Sequence, residues 1–177
     1  MLVELKHIKG GLLEQEYTCD PAGFPDLAGL AGEAGAAYRG PVRFCLRFQQ
    51  TARMVEVDGD LQATLVLTCG RCLVSFEREL SEPIAMTFVP EVTEEAPAAE
   101  RELEPGELGL IPYRDDCLEL LMPLQEQLVM AVPIRALCGQ DCRGLCPECG
   151  ADLNFSRCEC ERTPFNSKFG VLAKLKK

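Results

Sequence analysis

Apolar and polar side chains alternate over much of the first half of the chain. This is typical of half-buried β-strands, because successive side chains of a strand point to opposite faces of the sheet. Phe44, Leu46 and Phe48 share one side, and Cys45 lies among them, where we expect a small packed side chain. We predict a hairpin turn at Asp58-Gly59 and strands at residues 2–8, 12–18, 42–49, 53–57, 61–68, 73–80, 84–89 and 116–121.

Helical patterns occur in two places. Residues 25–39 are rich in alanine and glycine and are expected to form a short helix or an ordered loop, since each glycine weakens a helix by about 1 kcal/mol relative to alanine. Pro123 suits the first turn of a helix, and Leu124 and Leu128 share an apolar face that ends before Pro133. The predicted fold class is α+β: mainly an antiparallel β meander or a partly closed barrel, with a few short helices and a C-terminal Cys-rich zinc knuckle.

The chain divides by composition into two units. Residues 1–133 are predicted to form a β-rich body, and residues 134–177 a Cys-rich zinc-binding segment with a basic tail. Between about 91 and 109, glutamates crowd among prolines and glycines without an apolar period. This pattern is typical of a flexible acidic loop within the first unit.

The overall composition narrows the function classes. A hydrophobic content of 47% over 177 residues is that of a globular protein. The net charge of -10 argues against broad, non-specific nucleic-acid binding, because that binding depends on lysine and arginine neutralising phosphates. A local basic patch is still compatible with this charge.

The N-terminal residues and the cysteine count indicate a compartment. The chain begins without the basic and apolar regions of a signal peptide, and no stretch approaches the roughly 20 apolar residues of a membrane span. We therefore expect a cytoplasmic protein without membrane contact, whose thiols are kept reduced. In that setting the 11 cysteines are expected to be metal ligands or redox groups rather than disulfides.

The C-terminal cysteines favour a structural zinc site. In the sequence from Cys146 to Gly150, two thiols separated by two residues can bind one ion from a tight turn, and four thiolates complete a tetrahedral zinc. A spacing of one residue is tight for two ligands, so either member of the last pair could give way to a reserve cysteine, and two metals among six thiols are also compatible with the pattern. The leading ligand set is Cys146, Cys149, Cys158 and Cys160, with Cys138 and Cys142 in reserve.

A second pair of cysteines, Cys69 and Cys72, falls between two predicted strands. It fits a recognition turn with Arg71 at its tip, a plain structural turn, half of a zinc site completed by Cys138 and Cys142, or a dithiol redox pair. The redox interpretation is disfavoured because the residues that follow are predicted to form a strand, whereas thioredoxin-type pairs begin a helix.

The last residues of the chain are basic. From residue 162 onward there is no acidic side chain, and apolar residues recur at helical spacing. This pattern fits a short amphipathic helix that packs on the body with its lysines in solvent, and the segregation of charge equally fits a surface that faces RNA, a ribosome or another partner. The candidate contact residues are Lys168, Lys174, Lys176 and Lys177.

With these motifs in place, the chain resembles the YceD family of bacterial and plastid proteins. The features that carry the resemblance cover roughly residues 60–177, and the first third of the chain matches only in general pattern. They are Cys69-Gly-Arg-Cys72-Leu73, Leu128 to Pro133, Cys142 to Gly150, Cys158-Glu-Cys160, Pro164-Phe165 and Leu172 to Leu175.

The resemblance implies a role in large-subunit ribosomal RNA accumulation without an established catalytic activity. Many members of that family have the first cysteine pair but lack most of the C-terminal set, which implies that the two groups are independent. We therefore expect a non-catalytic factor in ribosome biogenesis that contacts ribosomal RNA or a ribosomal protein, contains structural zinc and takes no small-molecule substrate. The alternatives are a thiol-disulfide oxidoreductase that uses Cys69 and Cys72, a zinc hydrolase, or a protein–protein interaction module.

Overall fold

The computed structural model describes residues 1–33, 35–91 and 108–160. Most of the acidic segment lies outside these residues. The basic tail, which contains the four candidate contact lysines, also lies outside them. The described elements are β1 (Leu2–Glu4), β2 (Leu12–Cys19), α1 (Leu27–Glu33), β3 (Ala36–Thr51), β4 (Met54–Thr68), β5 (Ser75–Pro90), β6 (Leu110–Tyr113), β7 (Cys117–Glu119) and α2 (Leu121–Ala131), with short 3-10 turns near the N-terminus.

One large sheet organises the fold. Its strands lie in the order β2-β3-β4-β5-β6, and β1 pairs with β7 in a separate two-stranded sheet. The pairs from β2 to β5 are antiparallel, whereas β6 joins β5 in parallel. The predicted antiparallel meander is therefore confirmed, and the described strands form an open sheet rather than a closed barrel.

One face of the large sheet forms the hydrophobic core. Phe44 and Phe48 of β3 are fully buried there, together with Leu61 of β4 and with Leu124 and Leu128 of α2. Antiparallel sheets commonly leave their other face in water, and the alternation along β3 follows that rule.

Two polar contacts fasten the helices over this face. Gln125 of α2 is almost completely buried, accepts a hydrogen bond from the backbone N–H of Asp26 at 3.1 Å and donates one to the Asp26 carboxylate at 2.5 Å. The hydroxyl of Tyr38 donates to the carbonyl of Leu128 at 2.7 Å, which joins β3 to α2. Burial raises the pKa of Tyr38, so this phenol stays protonated as a donor.

The predicted hairpin turn at Asp58-Gly59 is wrong. Both residues lie inside β4, where Gly59 pairs with Leu46, and the turn between β3 and β4 falls at Ala52-Arg53 instead. A Cβ atom on Gly59 would lie 1.9 Å from the carbonyl oxygen of Cys45, so glycine is needed for a close approach of two strands. In the same way, the strands predicted at 73–80 and 84–89 form the single strand β5.

The expectation of a packed Cys45 is also wrong. Cys45 is exposed, because it shares one face of β3 with the solvent-facing Arg43 and Arg47 and lies opposite the buried phenylalanines. The phase of the alternation, which is visible in the sequence, places it on the polar face. None of the helices in the described ranges is long and apolar enough to cross a membrane.

Candidate metal centres

The first part of the site is the turn that connects β4 to β5. Its backbone is closed by two hydrogen bonds, from the N–H of Cys69 to the carbonyl of Val74 and from the N–H of Leu73 to the carbonyl of Cys69, both 2.9 Å long. Leu73 has a positive φ of 59°, which is uncommon for a side chain of this size. The turn directs both of its cysteine side chains inward, and both are buried.

The segment that follows α2 is held against this turn. The N–H of Gly70 donates to the carbonyl of Ala136 at 2.9 Å, and the N–H of Leu145 donates to the carbonyl of Arg71 at 3.2 Å. The Arg71 guanidinium also donates to the carbonyl of Gln140 at 3.3 Å and to that of Cys142 at 2.8 Å. Arg71 is exposed, as expected for the tip of a turn, but its Nη1 atom is engaged within the chain.

These contacts bring four cysteines together in what we call the inner cluster, which consists of Cys69, Cys72, Cys138 and Cys142. The four Sγ atoms lie within 4.8 Å of one another. Those of Cys69 and Cys142 are 3.8 Å apart, and those of Cys72 and Cys138 are 3.6 Å apart. Three of the four side chains are buried, with exposed fractions of 0% for Cys69, 6% for Cys72 and 7% for Cys142.

Four further cysteines form the outer cluster, which consists of Cys146, Cys149, Cys158 and Cys160. Their Sγ atoms also lie within 4.8 Å of one another, and the cluster is more exposed than the inner one. The knuckle from Cys146 to Gly150 is closed by a hydrogen bond from the N–H of Gly150 to the carbonyl of Cys146 at 2.9 Å. Gly150 has a φ of 72°, which glycine adopts without a steric penalty.

Cys69 and Cys146, each the first cysteine of a pair separated by two residues, are in settings that favour the thiolate. Hydrogen bonds from the backbone N–H groups of Cys138 and Cys72 lower the pKa of Cys69 to about 6. Those from Cys149 and Glu148 likewise lower the pKa of Cys146 to about 6. Backbone N–H donors directed at sulfur are the outer-shell contacts that a metal thiolate needs.

Other members of the clusters resist further ionisation. Hydrogen bonding to the Cys72 and Cys142 sulfurs raises the pKa of Cys138 to about 12. In the outer cluster, hydrogen bonding to the Cys149 sulfur raises the pKa of Cys160 to about 12. In each cluster one thiol therefore ionises readily while a neighbour stays protonated, and a bound cation would favour the thiolate form of both.

Asn154 lies between the outer-cluster cysteines in the sequence and contacts the inner cluster. Its side-chain N–H donates to the Cys142 sulfur at 3.5 Å, while its carbonyl oxygen accepts a hydrogen bond from the N–H of Arg143 at 2.8 Å. Further backbone hydrogen bonds run from Cys146 to Ala151 and from Leu153 to Gly144, at 2.8 and 2.9 Å. The residues around the outer cluster are thus hydrogen-bonded to the same irregular segment that supplies Cys142 to the inner cluster.

The donor set and spacing of both clusters fit a metal. Four sulfurs at about 2.3 Å from a tetrahedral zinc lie about 3.8 Å from one another, which is close to the two S–S distances measured in the inner cluster. Four protein ligands leave no coordination position open for a substrate, so each cluster has the form of a structural site. Both clusters could therefore hold a metal ion.

The structure groups the predicted residues in a specific way. The leading ligand set is brought together as the outer cluster, including both members of the Cys158-Glu-Cys160 pair. The reserve pair, Cys138 and Cys142, lies with Cys69 and Cys72 instead. This is the grouping that the sequence offered as one interpretation of the first pair, and it differs from the independence that the family resemblance implies. The inner cluster also crosses the predicted boundary at residue 133, although the division into two units stays a prediction.

Sequence reasoning missed the contribution of Asn154. Asparagine in a cysteine-rich loop is common as a turn residue, and its contact with Cys142 depends on how two loops fold together. The only available signal was the position of Asn154 between the knuckle at Cys146 to Gly150 and the last cysteine pair.

The fold and site define a β-sheet protein with two groups of four cysteines. The outer group lies within the C-terminal segment, and the inner group joins that segment to the turn between β4 and β5. The chain belongs to the YceD family, since the family model described as "Large ribosomal RNA subunit accumulation protein YceD" matches residues 57–176. The matched residues include all eight cysteines of the inner and outer clusters.

Three relatives illustrate the breadth of the similarity. The chain is 22% identical over 156 residues to the chloroplastic large ribosomal RNA subunit accumulation protein YCED homolog 1 of Arabidopsis thaliana, with 77% of this chain and 49% of the relative covered. The Zea mays homolog of the same name is 22% identical over 186 residues, covering 84% and 64%. An uncharacterized protein of Mycobacterium tuberculosis is 28% identical over 108 residues, covering 61% and 49%.

The chain spans about half the length of most of the curated relatives it matches. No solved structure matches the chain.

Proposed function

We propose that this chain is a non-catalytic factor in the accumulation of large-subunit ribosomal RNA, acting through contacts with that RNA or with a ribosomal protein. The observation that carries the proposal is the family match over residues 57–176. The plant relatives are named for the accumulation of large-subunit ribosomal RNA. The proposal places the chain in the cytoplasm, where thiols remain reduced.

The outer cluster is proposed to hold a structural zinc. Cys146 and Cys149 would bind from the knuckle, and Cys158 and Cys160 would bind from the other end of the segment. Bound zinc cross-links these thiolates and supplies no open position for chemistry. Because the segment from residue 146 to 160 has only an isolated β-bridge for regular structure, zinc binding would be part of its folding free energy.

The turn between β4 and β5 is proposed as one recognition surface. Leu73 and Val74 are neighbouring apolar side chains exposed beside it, with 66% and 46% of their surface accessible, and together they would offer a partner a small apolar contact. Arg71 lies at the tip but is bound to two carbonyls, so its proposed role is to hold the shape of the turn and to leave part of its charge at the surface.

Two sets of cations are proposed to contact RNA phosphates or an acidic partner surface. One comprises Arg143 and Arg157, which are exposed and line a cavity of about 470 Å³ beside the outer cluster. The other is the set of tail lysines named above: Lys168, Lys174, Lys176 and Lys177. Exchange of either set for glutamate should weaken RNA capture at low salt and make the remaining capture less sensitive to salt, because fewer phosphate contacts then release counterions.

The thiol-disulfide oxidoreductase alternative is disfavoured by burial. The Cys69 sulfur is inaccessible and the Cys72 side chain is 6% exposed, whereas a redox pair must present at least one sulfur to its substrate. Dithiol-dependent reduction of a model disulfide by the purified protein, abolished by Cys69→Ser, would revive the oxidoreductase. A zinc hydrolase is disfavoured because four cysteine ligands close each site.

The experiment that tests the function is depletion of the protein in cells that depend on it. The ratio of large-subunit to small-subunit ribosomal RNA should fall, and wild-type protein should restore it. Crosslinking then separates the two partner classes: RNA that remains crosslinked after ribosomal proteins are stripped supports direct RNA contact, and loss of the RNA supports contact through a protein. An unchanged ratio after depletion would refute the proposed function.

A further inference from the structure

We propose that the inner cluster is a second zinc site, separate from the outer one, and that its zinc clasps the C-terminal segment to the end of the large sheet. The proposal does not depend on the ribosomal role. It concerns Cys69, Cys72, Cys138 and Cys142, which are drawn from two parts of the chain on either side of β5, β6, β7 and α2.

The position of the four thiols is set by contacts that do not involve sulfur. The backbone bonds of Gly70 with Ala136 and of Arg71 with Leu145 fix the two segments side by side. The convergence of the cysteines therefore follows from how the backbone docks, and is not an isolated crowding of side chains. A site formed by the fold in this way is preorganised for an ion.

The sulfurs have the spacing of one tetrahedral ion. The measured distances of 3.8 Å and 3.6 Å match the edge of about 3.8 Å expected for four thiolates around zinc. A disulfide would bring two sulfurs to about 2.05 Å, and all eleven cysteines are free thiols in the structure. The four sulfurs are also too close together for the inorganic core of a multi-iron cluster to fit between them.

Apolar packing alone is a weak explanation for the docking of this segment. Among the described residues, the partly buried hydrophobic side chains packed against the inner cluster are three, namely Phe76, Leu137 and Leu145. Ile134, at the start of the segment, is fully exposed. A group of four thiols, three of them buried, would contribute little by itself, whereas a zinc that crosslinks them ties residues about 70 positions apart in the sequence.

The surroundings also suit the charge of a zinc with four thiolates, which is formally -2. The backbone N–H of Arg71 donates to the Cys69 sulfur at 3.5 Å, and the Asn154 side chain donates to the Cys142 sulfur at the same distance. The Arg71 guanidinium, bound to the carbonyl of Cys142, adds a positive charge at the edge of the cluster. Binding would displace the remaining thiol protons to solvent.

The test is elemental analysis and native mass spectrometry of the full chain purified under reducing conditions. Wild-type protein should carry two zinc ions, one for each cluster. Cys72→Ser and Cys142→Ser should each lose one, and Cys146→Ser should lose the other. Cys45→Ser, which removes an exposed thiol from the polar face of the sheet, is the matched control and should retain both.

A second measurement guards against variants that fail to fold. Cys138 is the exposed member of the inner cluster, so histidine can replace it with little steric cost. In protein loaded with cobalt(II), Cys138→His should retain two ions while the visible absorption of one shifts to shorter wavelength, as one sulfur ligand becomes nitrogen. One ion in wild type that survives Cys72→Ser, iron in place of zinc, or an unchanged cobalt spectrum in Cys138→His would overturn the assignment.

Discussion

The Sγ atoms of Cys69 and Cys142 lie 3.8 Å apart, although the two residues are separated by 73 positions in the sequence. One belongs to the turn at the end of β4, and the other to the irregular segment beyond α2. A contact between such distant residues carries a large loop-closure cost that something must offset. The inner cluster is therefore a place where the cysteine-rich segment contacts the end of the large sheet.

Removal of metal should loosen this segment while the sheet remains folded. We expect chelation under reducing conditions to open tryptic cleavage at Arg135, Arg143 and Arg157, because the segment has few buried apolar side chains of its own. Limited proteolysis followed by mass spectrometry will locate the cuts. Circular dichroism should show that the β-sheet signal is retained.

The matched control is to return zinc to the chelated protein, which should restore resistance at the same three sites. A metal-loaded protein that is cut at these three arginines as quickly as the chelated protein would contradict a structural role for zinc. Loss of the β-sheet signal on chelation would show that the metal supports the whole fold rather than this segment.

Gly59→Ala should destabilise the sheet. The added Cβ would meet the carbonyl oxygen of Cys45 at 1.9 Å, so β3 and β4 must separate at this position. We expect the free energy of unfolding to fall by at least about 2 kcal/mol, as measured by urea denaturation. Gly23→Ala is the control, because a Cβ there has nothing within 4 Å, and an equal effect of both variants would refute the close-approach explanation.

Gln125→Leu should weaken the attachment of α2 to α1. The change leaves the Asp26 backbone N–H and carboxylate without the partner they have in the folded chain, at a cost of about 1–3 kcal/mol. Thermal denaturation will measure the loss. Gln127→Leu, two residues along the same helix, should have a smaller effect, and comparable losses in the two variants would show that helix propensity rather than the buried contact is responsible.

The sequence pattern predicted the parts of the fold that depend on local periodicity. The alternation through Phe44 and Phe48 identified the buried face of β3, because a strand exposes every second residue to the same environment. The turn at Asp58-Gly59 was predicted wrongly because a favourable local dipeptide competes with pairing along the whole length of β4. Tertiary pairing prevailed, and the glycine serves a close approach of strands instead of a turn.

The two clusters also differ in how far local sequence pattern could predict them. The outer cysteines all lie between residues 146 and 160, so their spacing alone pointed to a common set, and the structure brings that set together. The grouping of Cys72 with Cys138 was one of several interpretations that the sequence left open, and spacing could not choose among them because the contact depends on how α2 returns the chain to the sheet. Local patterns predict local ligand sets, whereas a ligand set drawn from two ends of a fold requires the topology.

Arg71→Ala should lower the zinc affinity of the inner cluster by about 10-fold, because outer-shell contacts that orient a ligand have effects of this size. Its guanidinium holds the carbonyls of Gln140 and Cys142, next to one proposed ligand. Competition with a chromogenic chelator, in protein that also carries Cys146→Ser to remove the outer site, will measure the change. Arg43→Ala, on the exposed face of β3, is the control, and equal affinities in the two arginine variants would show that Arg71 does not support the site.

Leu73→Gly should separate the stability of the turn from its proposed role in recognition. Leu73 has a φ of 59°, a conformation that costs a side chain about 1 kcal/mol and glycine nothing. The variant should therefore be as stable as wild type or slightly more so, in spite of losing a leucine, because that leucine is 66% exposed.

If the turn meets a ribosomal partner, the variant should nevertheless recover less large-subunit ribosomal RNA in a pull-down. Leu2→Ala, at a leucine of β1 that is 69% exposed, should leave recovery unchanged. Undiminished recovery by Leu73→Gly would move the contact away from this turn and towards the cations beside the outer cluster or in the basic tail.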